Sequence, residues 1–229
     1  MNKSGLAILL LFISVKSMGQ GGYVSSEDPH NPINGAINIV VSSVDNGEGN
    51  SYFAEAEKNE RKGELEEAVT LYGKAAFEYN TTRQFARYGS ALMRLSNVHL
   101  QLSHYTEAEQ VVLNVALKNY SKIGSKAGQM ESYSQLGRIY LASSKYTQSM
   151  WFYTQQGILA KQLGNNTSYI ESVLGIANVK IRKKEYVMAS RDVNRAELLA
   201  RAASTSQFSN QIRDARALIA ARASGKKPS

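Results

Sequence analysis

The residues of this chain best suited to touching another molecule are side-chain hydrogen-bond donors that recur at a fixed step. Asn97, Arg138 and Asn178 stand 41 and 40 residues apart, and Arg94 and Gln135 stand 41 apart. Met93, Gln101 and Arg182 fall on the same helical faces, out of phase with the apolar positions around them. A ladder of Asn, Gln and Arg can grip the backbone of an extended peptide, or a carboxylate, through side-chain donors.

Residue types that carry catalysis are sparse. The 3 histidines are His30, His99 and His104. His99 falls on the apolar side of its segment. His104 lies five residues on, a spacing that does not stack two ligands on one helical face. There is no phosphate-cradling glycine loop, no serine-elbow motif and no acid-rich metal loop. With 0 cysteines, disulfides, thiol catalysis and thiolate-bound zinc are excluded. Trp151-Phe152-Tyr153 reads as core or edge packing rather than a ligand platform. The expectation is a binding protein that is not an enzyme, with no cofactor and no metal.

The elements that position the donors come from an internal repeat. Four times a small residue is followed twelve places later by another: Ala56/Ala68, Ser96/Ala108, Gly137/Ser149 and Ala177/Ala189. Successive pairs lie 40, 41 and 40 residues apart, the signature of stacked, near-identical units. Around each pair apolar residues recur at three- and four-residue steps, as in Leu65, Ala68, Tyr72 and Ala75. The 3 prolines are Pro29, Pro32 and Pro228, so nothing between Ile33 and Lys227 interrupts a helix. The pattern predicts helical hairpins over about 51–81, 82–124, 125–164 and 165–203. Turns are expected at Gly63, Tyr79-Asn80-Thr81, Gly124-Ser125 and Gly164-Asn165-Asn166. Small residues at each crossing let two helices approach to about 8–10 Å. Leu65, Tyr105, Tyr146 and Tyr186 should fill the groove beside each turn. A last amphipathic helix from about Thr205 to Ala223 has no partner and should cap the fourth hairpin.

Leu136-Gly137-x-x-Tyr140 followed by Tyr146-x-x-Ser149, and Gly63-Glu64-Leu65-Glu66-Glu67-Ala68-Val69, resemble the tetratricopeptide repeat family. The resemblance covers about residues 51–203. The step of 40 exceeds the usual 34 or so and is similar to the family's extended type, found in adaptors and peptide-sensing regulators. It implies an all-α fold, an α-α superhelix of about four hairpins plus a capping helix. It also implies that the first helix of each hairpin lines a concave, partner-binding face. Met93, Arg94, Asn97, Gln101, Gln135, Arg138, Asn178 and Arg182 would then lie on that face, with Phe53, Glu57, Ser134 and Leu174. The arrangement is loosely similar to the carboxylate-gripping groove of some co-chaperones, without their full set of lysines. Glu55, Asn59 and Gln156 depart from the family pattern, and no copy closes on a proline.

The ends of the chain differ in character. Lys3, the apolar run Leu6–Val15 and Ser17-Met18-Gly19 match an export signal over 1–19. Residues 20–50, rich in Gly, Ser, Asn and Asp, read as a disordered linker. The apolar patch Ala36–Val44 inside it would form a short strand or helix, or dock on the first hairpin. Residues 224–229 read as a loose tail. The chain carries a net charge of +8, and residues 180–229 hold 12 basic and 4 acidic side chains. That asymmetry could steer an acidic partner, although no nucleic-acid motif accompanies it. Together these features suggest an extracytoplasmic scaffold or adaptor that binds a protein or peptide. The alternative is a peptide- or small-molecule-sensing module that relays to a membrane receptor such as a kinase.

Overall fold

A computed structural model describes residues 47–223. The signal reading, most of the linker with its 36–44 patch, and the tail lie outside the described residues.

Among the described residues nine helices follow one another. In order they are α1 (Glu48–Lys62), α2 (Leu65–Thr81), α3 (Phe85–Gln101), α4, α5 (Lys126–Ala142), α6 (Tyr146–Gln162), α7 (Asn166–Arg182), α8 (Tyr186–Ala202) and α9 (Ser209–Ala223). Helix α4 runs through Tyr105–Gln110, Val111–Ala116 and Leu117–Lys122 without a break, its middle segment wound as a π-helix. There is no strand among the described residues. Each helix packs on its neighbours in sequence, and α3 touches α5, as α5 touches α7, side by side. The fold is the expected all-α solenoid of four hairpins with a capping helix.

One turn design is used throughout. Gly63, Arg83, Ser103, Gly124, Ser144, Gly164, Lys184 and Ser204 all have positive φ, at intervals of 20 residues apart from a single step of 21. At each, the residue after it donates its N–H to a carbonyl five back, as Glu64 does to Asn59 and Gln84 does to Tyr79. This double-bonded C-terminal cap satisfies carbonyls that the helix end would leave open. Ser125 and Asn165 then cap the helices that follow, accepting from the N–H of Gly128 and Ser168. The turn expected at Tyr79-Asn80-Thr81 belongs to the last coil of α2, and Arg83 makes the reversal instead. A non-glycine left-handed residue carries no sequence signal, which explains that displacement. The single step of 21 contains α4, whose π-helical segment takes up one extra residue.

The small-residue pairs sit where the helices cross. Ala56, Ala68, Ser96, Ala108, Ser149, Ala177 and Ala189 are wholly buried. Two serines also tie the crossing. The Ser96 hydroxyl donates to the Ala108 carbonyl (3.0 Å), and that of Ser149 to the Gly137 carbonyl (2.7 Å). Large tyrosines fill the space between helices against glycines. A Cβ on Gly137 would lie 2.7 Å from Tyr153, and one on Gly175 2.5 Å from the same ring. Tyr120 meets Gly89 and Gly128 in the same way. Tyr105, Tyr146 and Tyr186, expected to be groove fillers, are only half buried at the first position of their helices. The tyrosines closed off between helices are Tyr72, Tyr79, Tyr120, Tyr140 and Tyr153.

Two boundaries shift. Helix α1 begins at Glu48, three residues inside the expected linker, where Gly49 packs against the Tyr79 ring. The capping helix begins at Ser209 rather than near Thr205. Phe208, Ile212 and Ala215 bury against α7 and α8 and close the apolar end of the fourth hairpin.

Candidate partner-binding trough

The first helices of hairpins two to four line an open hollow of about 570 Å³. Met93, Arg94 and Asn97 come from α3. Glu131, Ser134, Gln135 and Arg138 come from α5, and Ser168 and Glu171 from α7. Gln156 of α6 also lines it. A second hollow of about 420 Å³ shares Ser134, Arg138 and Glu171 with the first. It continues past Leu174, Gly175 and Asn178 to Asp214 and Leu218 on α9. The two form one trough across α3, α5, α7 and α9.

Five of the eight residues singled out from sequence line the first hollow, and most of their donors are already engaged. Arg94 donates to Glu57 (3.1 Å) and to the Tyr72 hydroxyl (3.2 Å), and pairs with Glu60 (3.4 Å). Asn97 and Gln101 both donate to Glu60, at 3.1 and 2.8 Å, and Arg138 donates to Asn97 (2.9 Å). Tyr72 donates to Glu60 as well (2.8 Å). Burial, and next the Glu60 carboxylate, push the Tyr72 phenol well above its usual range. Met93 and Gln135 are only 6% and 4% exposed. The Gln135 amide is spent on Ser96 at 3.4 Å. Asn178 stands in the second hollow. Arg182 is set apart from the trough, in a separate recess with Tyr146, Tyr186, Leu218 and Arg222. The partly buried Phe53 ring makes a T-shaped contact with Tyr72, with centroids 5.3 Å apart.

The acidic side of the trough was not among the residues picked from sequence. Ser134 donates to one oxygen of Glu171 (2.8 Å) and Gln156 to the other (2.9 Å). Glu131 borders the same space. Its side chain is open to the hollow but walled by helices. Desolvation, with the nearby Glu171 charge second, raises its carboxyl above the usual range. The sequence did carry one signal here, because Gln156 stands where the repeat pattern favours alanine.

His99 and His104 come closer than their spacing suggested, with ring centroids 5.9 Å apart. The reason is the turn, which folds His104 back from the start of α4. Burial, and then His104, lower the His99 pKa. Among the described residues no cluster of three or more His, Cys, Asp or Glu could hold a metal. No described helix is long and apolar enough to cross a membrane.

No family model matches the sequence, and no curated protein matches it. A solved structure does. It is a Podospora anserina protein named for the kinesin light chain, with nearly identical TPR-like repeats. The two share a TM-score of 0.57 over 77% of this chain and 96% of that one, at 14% identity. By fold, this chain is a tetratricopeptide-like solenoid. The first helices of the solenoid supply the trough and the second helices back it.

Proposed function

We propose that the chain is an exported scaffold that binds an extended segment of a partner protein along the trough lined by α3, α5, α7 and α9. The observation that carries this reading is the trough itself. It is continuous over three hairpins and open along its length, polar in the first hollow and more apolar in the second. Groups already locked in an internal network hold their positions before a partner arrives, which lowers the ordering cost of binding. The export half of the reading rests on the signal-like residues 1–19.

Two experiments test the two halves. Tagged full-length chain is used to capture partners from its own cells, beside a variant carrying Asn97→Ala, Arg138→Ala and Asn178→Ala. A partner retained by the wild type and lost by the variant supports the trough. Equal capture by both places binding elsewhere. Fractionation of cells expressing the chain checks export: a shortened product outside the cytoplasm supports it, and a full-length cytoplasmic product refutes it.

The size of the hollow keeps the sensing alternative open, since about 570 Å³ suits a small ligand. A thermal-shift screen separates the readings. A small molecule at 100 times its Kd would add about 2.7 kcal/mol of stability.

A further inference from the structure

The donors and acceptors of the trough are spent unevenly. Towards α1, Glu57 and Glu60 collect the donors of Arg94, Asn97, Gln101 and Tyr72. Between α5 and α7 the balance reverses. Glu171 receives only neutral donors, Ser134 and Gln156. Neither Glu131 nor Glu171 has a basic side chain within salt-bridge distance among the described residues. Arg138 borders the same hollow, but its guanidinium donates to Asn97.

Gln156 adds a third acceptor. The side chain is 1% exposed, and its Oε1 has no hydrogen-bond partner among the described residues. The orientation of the amide is fixed by its neighbour. A carboxylate accepts only, so the amide must turn its N–H to Glu171 and leave its carbonyl oxygen over. A buried acceptor without a donor is costly to keep. Oε1 is covered in the free protein, so it adds negative potential beside the two carboxylates rather than a ready contact.

We propose that this stretch of the trough is a pocket for a basic side chain, an arginine or lysine of the bound partner segment, held between Glu131 and Glu171 beside Gln156. The assignment rests on the trough-binding reading and names the chemistry that the trough selects. A guanidinium matches two carboxylates through paired N–H donors, and an ammonium satisfies the same charge with less geometric demand. A bare metal ion is a poorer occupant, because the described residues offer no third carboxylate or histidine. The opening into the second hollow gives the rest of an extended segment a path on either side of the basic residue.

The test uses full-length chain and fluorescent eleven-residue peptide pools, randomised around a fixed central arginine, lysine, citrulline or glutamate. Binding is read by anisotropy at low and high salt. The expected result is at least tenfold tighter binding of the arginine and lysine pools than of the citrulline pool, shrinking as salt rises. Glu171→Gln and Glu131→Gln should each reduce that preference severalfold. Among the described residues Glu131 makes no hydrogen bond that its replacement would break, so that variant remains informative if Glu171→Gln unfolds. Free arginine amide should compete only at far higher concentration than the peptides. Competition at equal concentration would mean a small cation is the ligand and would overturn the proposal. Equal binding of all pools, tighter binding of the glutamate pool, or no binding of any pool would overturn it too. The scaffold reading is judged separately. A captured partner that depends on Asn97, Arg138 and Asn178 but ignores Glu131→Gln and Glu171→Gln keeps the trough and removes the basic-residue pocket.

Discussion

The hydroxyl of Ser149 donates to the main-chain carbonyl of Gly137 at 2.7 Å, joining two facing helices at their point of closest approach. Ser96 makes the same kind of bond to Ala108 from the other helix of its hairpin. A small side chain at this crossing therefore does two jobs in the serine-bearing copies. It allows the approach and fastens it.

Ser149→Ala keeps the first job and removes the second. A carbonyl inside a helix still has its intrahelical partner, so the expected loss is about 1 kcal/mol. Ser149→Leu fills a site with no free space and should cost about 1–3 kcal/mol or more. Urea unfolding of both variants checks the order. A leucine variant as stable as the alanine variant would show that the crossing is looser than its full burial implies.

Tyr153 is pinned between Gly137 and Gly175, on the helices before and after its own. A methyl group on Gly175 would meet the ring at 2.5 Å, well inside contact distance. Gly175→Ala should therefore destabilise the fold, even though alanine is the better helix former by about 1 kcal/mol. Tyr153→Leu in the same chain should recover part of the loss. Additive losses in the double variant would mean that the ring and the glycine do not share one space.

Glu131 gives a pH dependence whose sign can be worked out. Its carboxyl is raised in the folded state, chiefly by desolvation. The folded state thus holds its proton to higher pH than the unfolded chain does. Below the ordinary glutamate pKa of about 4.3 both states are protonated and the group is neutral in effect. As pH rises through the folded value, its charge opposes folding. Glu131→Gln should therefore melt higher than wild type at pH 7, with the gap closing near pH 4. A variant that is less stable at pH 7 would contradict the desolvation of that carboxyl. A gain in stability together with a loss of basic-peptide binding would mark a group retained for recognition.

Ser144 closes the turn between α5 and α6 with φ of 60°, where Gly63 serves the equivalent turn of the first hairpin and Gly124 and Gly164 serve turns of the same design between hairpins. Left-handed geometry costs a side chain about 1–2 kcal/mol, and glycine offsets part of that gain by its freedom in the unfolded chain. Ser144→Gly should stabilise by roughly 0.5–1 kcal/mol, read by thermal melting. No change, or a loss, would mean that the serine side chain compensates for its own strain.

Much of the architecture was legible because it rests on local rules. Ala56/Ala68 and its counterparts mark helix crossings through size alone, and Gly63, Gly124 and Gly164 mark turns through backbone freedom. Arg83 and Lys184 carry no such mark. They hold the same backbone only because the flanking helices and the paired cap bonds fix it. The trough was legible in position but not in balance. Arg94, Asn97 and Arg138 could be placed on one side of the first helices by their phase. That Glu60 absorbs Arg94, Asn97 and Gln101 depends on contacts 34 to 41 residues apart in sequence. Glu131 and Glu171 were not singled out, because only the folded chain brings them to one hollow.

The π-helical segment at Val111–Ala116 carries a consequence for the molecule's history and handling. An added residue in an ordinary helix would rotate everything beyond it by about 100°. Every later copy would then present the wrong side to its predecessor. By taking up the surplus residue in its wider π-helical turn, α4 keeps Gly137 and Ala177 in phase with Ala56 and Ser96. The array can thus carry an odd insertion at this one joint and still deliver Arg94 and Glu131 to the same hollow.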